Sequence, residues 1–199
     1  MTPTLPDTES PRPGRPRSPE ADEAILAAAV EVFTESGYEG LTVEGVAARA
    51  GVGKATIYRR YPCKVDLVVA AVRSFTETDA AAPDTGSTRG DLCALVEGLI
   101  AVFTTTPLGR AMPILLAERI RIPELDAAYS AFVAEKRARG IAIVRRAIER
   151  GDLVADVDPD VIVDHYVGPA FYRFLVTRAP LDRQFVDAVV NATLRAFAP

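Results

Sequence analysis

Residues 42–64 read TVEGVAARAGVGKATIYRRYPCK, and this stretch decides the fold. Val43, Val46, Ala47 and Ala50 follow the i, i+3, i+4, i+7 spacing of a single apolar helical stripe. Thr42 stands just ahead of it, where a hydroxyl can accept from the orphan N–H groups of a first turn. Gly51 is placed to end that helix, because glycine enters the left-handed region without a steric cost. Val52 plugs the corner, Gly53 offers a weak cap, and Lys54 to Tyr61 make a second short helix. Two short helices joined by a brief glycine-containing turn are a helix-turn-helix.

Charge changes over the same residues. Between Gly45 and Val65 no acid occurs, while Arg49, Lys54, Arg59, Arg60 and Lys64 all do, in a chain of formal net charge -4. An acid-free basic island in an acidic chain is the footprint expected for a polyanion. The second helix turns Lys54, Thr56, Tyr58 and Arg59 outward and Ile57 inward. Lys and Arg suit guanine acceptors or phosphates, and Thr and Tyr suit thymine methyls and phosphate oxygens. Lys54, Thr56 and Arg59 are therefore expected to read bases, with Ala55 on the same DNA-facing surface. Thr42, Tyr58, Arg60 and Lys64 are expected to hold phosphates.

Blander readings exist for the same residues. A basic run can be a solvated face, Arg49 can belong to the surface of the supporting helix, and Tyr61 mirrors Ile57 and so suits the core. GVGK at Gly51–Lys54 faintly suggests a phosphate-binding loop. That fails, because Ala47 stands where the first glycine is needed and Ala55 follows the lysine in place of Ser or Thr.

The segment resembles the DNA-binding half of the tetracycline-repressor (TetR) family of bacterial transcriptional regulators. The likeness runs from Ile25 to Val72, ILAAAVEVFTESGYEGLTVEGVAARAGVGKATIYRRYPCKVDLVVAAV. Ile25, Ala28, Ala29, Val32 and Phe33 give a first amphipathic helix, and Gly37, Tyr38 and Gly40 the turn after it. GY-x-x-LTV, VAARAGV, TIYRRYP-x-K and an apolar fourth helix then follow in the family's order and spacing. Cys63 departs from the pattern, at the place of a Ser, Asn or Thr cap for the fourth helix. Gly53 departs too, where Ser is common. Both changes imply weaker capping, by about 0.5–1 kcal/mol per site.

Composition narrows the classes. The chain has 199 residues, 49% of them hydrophobic, which is enough for a substantial core. No apolar run approaches the length of a membrane-spanning helix. The N-terminus lacks the apolar stretch of a secretion signal, so none is expected. Cys63 and Cys93 are too few for a disulfide framework and fit a reducing cytoplasm, the expected location. Residues 1–18 are rich in Pro, Ser and Thr and are expected to be a disordered arm. Within it Arg12, Arg15 and Arg17 suit a minor-groove hook, or equally an unstructured leader with chance arginines.

Beyond Val72 the periodicity stays helical. A fourth helix is expected to reach Ala80. A fifth runs through Leu92 and Phe103, and Pro107 opens a sixth. Pro123 starts a long seventh helix that Gly151 ends. Asp158-Pro159 opens an eighth, and Asp182 caps a ninth that reaches Phe197. No segment alternates with period two. The expected fold is therefore all-α, a nine-helix TetR-like architecture. Residues 19–78 form a helix-turn-helix DNA-binding domain with its motif at about 43–62, and residues 79–199 a ligand-binding and dimerisation domain.

The last two helices carry broad apolar faces, with Val161, His165, Gly168, Phe185, Val189 and Ala192 expected at an interface. The resemblance implies that these helices pair with their copies in a homodimer, so that two recognition helices meet a pseudo-palindromic double-stranded operator. It further implies no cofactor, but a pocket for a small-molecule effector. Phe103, Met112, Arg119, Tyr129, Phe132, His165, Tyr166 and Tyr172 are the candidate lining. Catalysis finds no support: Asp164 and His165 are adjacent on a helix and point about 100° apart. No HExxH, Cys/His metal spacing or serine elbow occurs either. A binding module without DNA affinity is the remaining alternative, and intact Lys54, Tyr58, Arg60 and Lys64 argue against it.

Overall fold

The computed structural model describes residues 19–76 and 82–199. Among them it has nine α-helices and no strand: α1 (Pro19–Gly40), α2 (Val43–Ala50), α3 (Lys54–Tyr58), α4 (Lys64–Thr76), α5 (Thr88–Thr105), α6 (Leu108–Arg119), α7 (Pro123–Glu149), α8 (Pro159–Tyr172) and α9 (Arg183–Ala196). The all-α expectation holds. The arm with Arg12, Arg15 and Arg17, and the stretch expected to carry α4 on to Ala80, fall outside the described residues.

Local chemistry sets most boundaries. Ser87, Asp158 and Asp182 cap α5, α8 and α9, their side chains accepting from Gly90, Asp160 and Phe185 N–H. Gly151 ends α7 at φ 77°, and Asp152 N–H reaches back to the Ala147 carbonyl. One boundary is softer than the sequence implies. The turn expected at Gly37 is a kink inside α1, where Gly37 takes φ 68° and helical structure resumes as far as Gly40.

Two apolar clusters fill the interior. The first joins α1–α4 to Phe103, α6 and the start of α7, through residues such as Ile25, Phe33, Val46, Ile57, Leu67, Leu108, Leu115 and Leu125. It therefore crosses residue 78, with α1 packed on α6 and α4 on α7. The second joins α5, the rest of α7, α8 and α9 around Leu92, Ile143, Ile162, Tyr166 and Val190. Gly140 is needed there, because a Cβ would stand 2.3 Å from the Tyr166 hydroxyl.

A buried charge ties the segment before α5 to α7. Asp91 is fully buried and accepts from Thr85 N–H at 2.6 Å and Thr85 Oγ1–H at 2.8 Å. Arg146 and Arg150 approach it at 3.4 and 3.8 Å. Burial opposes its charge, but these hydrogen bonds and the Arg146 guanidinium outweigh that and hold the carboxyl below its usual range. Among the described residues no single helix is long and apolar enough to cross a membrane. The α5–α6 pair has the length and apolar composition, yet turns through 94° at its break.

Candidate nucleic-acid interface

The helix-turn-helix forms as its residues dictate. Thr42 Oγ1 accepts from Gly45 N–H at 3.0 Å, leaving its own hydroxyl hydrogen free to meet a phosphate. Gly51 adopts φ 67°, and both its N–H and that of Val52 turn back to the Ala47 carbonyl. Val46 and Ala47 are buried, with Val43, Ala50 and Val52 packed beside them. Ile57 is fully buried and contributes about 1.5–3 kcal/mol. That anchor fixes which face of α3 looks outward. Lys54, Ala55, Tyr58 and Arg59 are exposed, Tyr58 to 53%, and Thr56 is half-buried.

The basic island is less bare in space than along the chain. Arg49 makes a bidentate pair with Glu35 at 2.7 and 2.8 Å. Lys54 donates to Glu44 at 2.8 Å, and this bond holds the Glu44 carboxyl below the usual carboxylate range. Arg60 does not join the outward face expected of it. Its side chain is only 11% exposed and pairs with Asp22 of α1 at 2.6 Å, because α3 ends at Tyr58 and the chain turns back onto α1. Lys64 also turns inward. Its ammonium lies 4.6 Å from the Tyr38 ring centre and donates to the Tyr38 and Glu39 carbonyls at 2.8 and 3.3 Å. It thereby closes the end of α1, which leaves Arg59 as the island's unpaired cation among the described residues.

Of the eight residues expected at an effector pocket, Phe103, Met112, Tyr129 and Phe132 share the first cluster with Arg119 beside them, while His165, Tyr166 and Tyr172 lie elsewhere. Met112, Tyr129 and Phe132 are buried in the first cluster, where Tyr129 O–H meets Met112 Sδ at 3.6 Å. Arg119 lies over the Tyr129 ring and donates to Asp126 and Ser130. Tyr166 is buried in the second cluster, its hydroxyl without a partner. His165 Nδ1 sits 3.0 Å from Thr193 Oγ1, and Tyr172 is exposed. Phe103 alone of the eight lines the cavity of about 610 Å³ at the α5–α6 elbow, together with Arg110, Pro113, Phe174 and Arg178. Sequence reasoning missed those four. The proline after three threonines at 104–106 signalled the elbow, but nothing local signalled that residues 174–178 would close it.

The expected interface residues divide in two. Phe185 and Val189 face the chain's own second cluster, since α9 needs that apolar stripe to pack against α5 and α8. Ala192 is half-buried. Val161, His165 and Gly168 are exposed, and with Tyr172 and Val176 they trace one side of α8 and the π-helical turn after it. Val161, Tyr172 and Val176 are 52%, 59% and 63% exposed. Asp164 pairs with Arg137 while His165 meets Thr193, so this adjacent pair serves two different neighbours.

An exposed, anchored recognition helix on an all-α body defines a helix-turn-helix DNA-binding protein. Residues 25–71 match the family described as bacterial regulatory proteins, tetR family, and residues 82–193 match the tetracyclin repressor-like C-terminal domain. The chain belongs to the TetR family of transcriptional regulators. It is 32% identical to the HTH-type transcriptional regulator YdeS of Bacillus subtilis, over 90% of this chain and 91% of that one. It is likewise 32% identical to a DNA-binding transcriptional repressor TetR of Mycobacteroides abscessus, over 86% and 90%. The crystal structure of the TetR family transcription regulator SCO0332 superposes with a TM-score of 0.67 at 34% identity, covering 90% of this chain and 100% of that one.

Proposed function

We propose that this regulator is a cytoplasmic homodimeric repressor, released from a pseudo-palindromic operator by a small-molecule effector. Lys54, Thr56 and Arg59 read bases, while Thr42 and Tyr58 hold phosphates. The exposed apolar stripe on α8 pairs with its copy and sets the spacing of the two α3 helices, because one five-residue helix buries too little to be specific alone. Coupling runs along α6. Its first turns wall the elbow cavity, and at its far end Glu118 Oε1 accepts from Tyr38 N–H at 3.4 Å, beside the α1 kink. A ligand that shifts α6 thus biases the DNA-binding helices between two placements. Regulation needs no catalytic step, and none is assigned to Asp164 or His165.

The observation that carries this reading is the pairing of a buried Ile57 with an exposed Lys54, Tyr58 and Arg59 on one short helix and its C-cap. Anisotropy titrations with a duplex from upstream of the protein's own gene test it. Tight, sequence-dependent, salt-sensitive binding that Arg59→Ala weakens is expected. Equal affinity for a scrambled duplex contradicts it.

A further inference from the structure

The cavity at the elbow has a definite chemical character. Its walls include no Asp or Glu, although the chain as a whole is acidic. Arg110 on α6 and Arg178 after the π-helical turn both line it, and among the described residues neither guanidinium has a carboxylate partner or a hydrogen bond. Most other arginines among the described residues pair with a carboxylate. The three threonine hydroxyls at 104–106 spend their hydrogens on the Ile100, Ala101 and Val102 carbonyls. The guanidiniums are therefore the cavity's unspent side-chain donors. The negative end of α5 and the positive end of α6 meet here and offset each other, so the arginines set the sign.

The backbone supports the same assignment. Arg178 is the non-glycine residue with positive φ among those described, at 56°, and it follows a π-helical turn over Arg173–Thr177. Strain and π-turns of this kind persist where surrounding structure holds a side chain for use. The apolar part of the cavity is aromatic. Phe103 and Phe174 stack at 4.5 Å with 15° between their planes, and the Arg178 guanidinium lies 5.5 Å from the Phe174 ring centre.

We infer that this cavity binds an organic anion with a flat apolar body, its carboxylate held by Arg110 and Arg178 and its ring system against Phe103 and Phe174. Planar forked donors suit a carboxylate, and stacked rings suit a flat partner. That this ligand is the effector rests on the repressor reading above; that the site selects such anions does not.

Calorimetric titration of the full chain with 2-naphthoate, its neutral analogue 2-naphthamide, and acetate tests the inference. Naphthoate should bind about tenfold tighter than naphthamide, the fold-change of one charge-assisted hydrogen bond, and acetate should bind far more weakly than either. Raising salt from about 50 to about 300 mM should weaken naphthoate alone. Arg110→Gln and Arg178→Gln should each abolish the preference. Arg178→Gly, which relieves the positive φ, should abolish it while keeping or raising Tm. Equal affinity for the acid and the amide, no binding of naphthoate, or a preference that survives both arginine variants would overturn the site. Operator release is measured separately. Naphthoate bound with the operator still occupied removes the effector role and keeps the site, whereas operator binding without naphthoate binding removes the site and keeps the DNA-binding reading.

Discussion

Arg59 projects a free guanidinium from α3, while Arg60, its neighbour, is turned back onto Asp22 with its Nε buried and unpartnered. The two should respond differently to truncation. Arg59→Ala should leave stability within about 0.5 kcal/mol of the parent's, relax preference at the base it reads, and lower the salt dependence of DNA binding by about one charge. Arg60→Ala should leave that slope alone and cost about 1 kcal/mol or more, because a largely buried side chain and its pair with Asp22 are lost together. Chemical denaturation and salt-series titrations on both variants check this; interchanged phenotypes would reject the placement of the two side chains. Glu44 offers a third case. Glu44→Gln takes a carboxylate off the interface and frees Lys54, so operator affinity should rise and the salt slope steepen. An unchanged titration would show that the Lys54–Glu44 pair has no bearing on DNA.

At the scale of elements, the structure exposes two improvable or intolerant positions. Gly53 caps α3 with extended backbone, φ -74° and ψ 142°, no side-chain hydrogen bond, and open space where a Cβ would stand. Gly53→Ser should therefore raise stability by about 0.5–1 kcal/mol, read by thermal unfolding. Gly140→Ala should lower it by about 1–3 kcal/mol, because the new methyl collides with the Tyr166 hydroxyl and Val163. These elements were largely legible in the chain. Stop and start signals such as Gly51, Gly151, Asp158-Pro159 and Asp182 act within a few residues, so their effect can be read locally. Lys64 and Arg60 were misplaced for the opposite reason. Their partners, Tyr38 and Asp22, lie far back on α1, and only the packing of α1 on α4 brings them together. Likewise Phe185 and Val189 carry a stripe that the sequence cannot assign to a neighbour in the same chain or in another. The elbow cavity is the extreme case, assembled from residues near 103–113 and near 174–178.

For the whole molecule, the interior is divided between two apolar clusters. Asp91 holds the segment before α5 against α7, with its carboxyl kept below the usual range. Its charged form thus favours the folded state at all pH values above its unfolded pKa, about 3.9, and this stabilisation fades as pH falls through the lower folded value. Tm should drop steeply below about pH 4, and Asp91→Asn should flatten that drop while lowering Tm at neutral pH; identical acid profiles would contradict the assignment. The first apolar cluster joins the helix-turn-helix to α6 and α7, while the exposed side of α8 lies on the other cluster. Two copies, joined through that α8 stripe, should present two α3 helices to one duplex. Selection of bound duplexes from a randomised DNA pool tests it most directly. An enriched pseudo-palindrome with half-sites about one helical turn apart, taken up by two chains, is predicted. Enrichment of a single unrepeated site bound by one chain, or no enrichment at all, would contradict it.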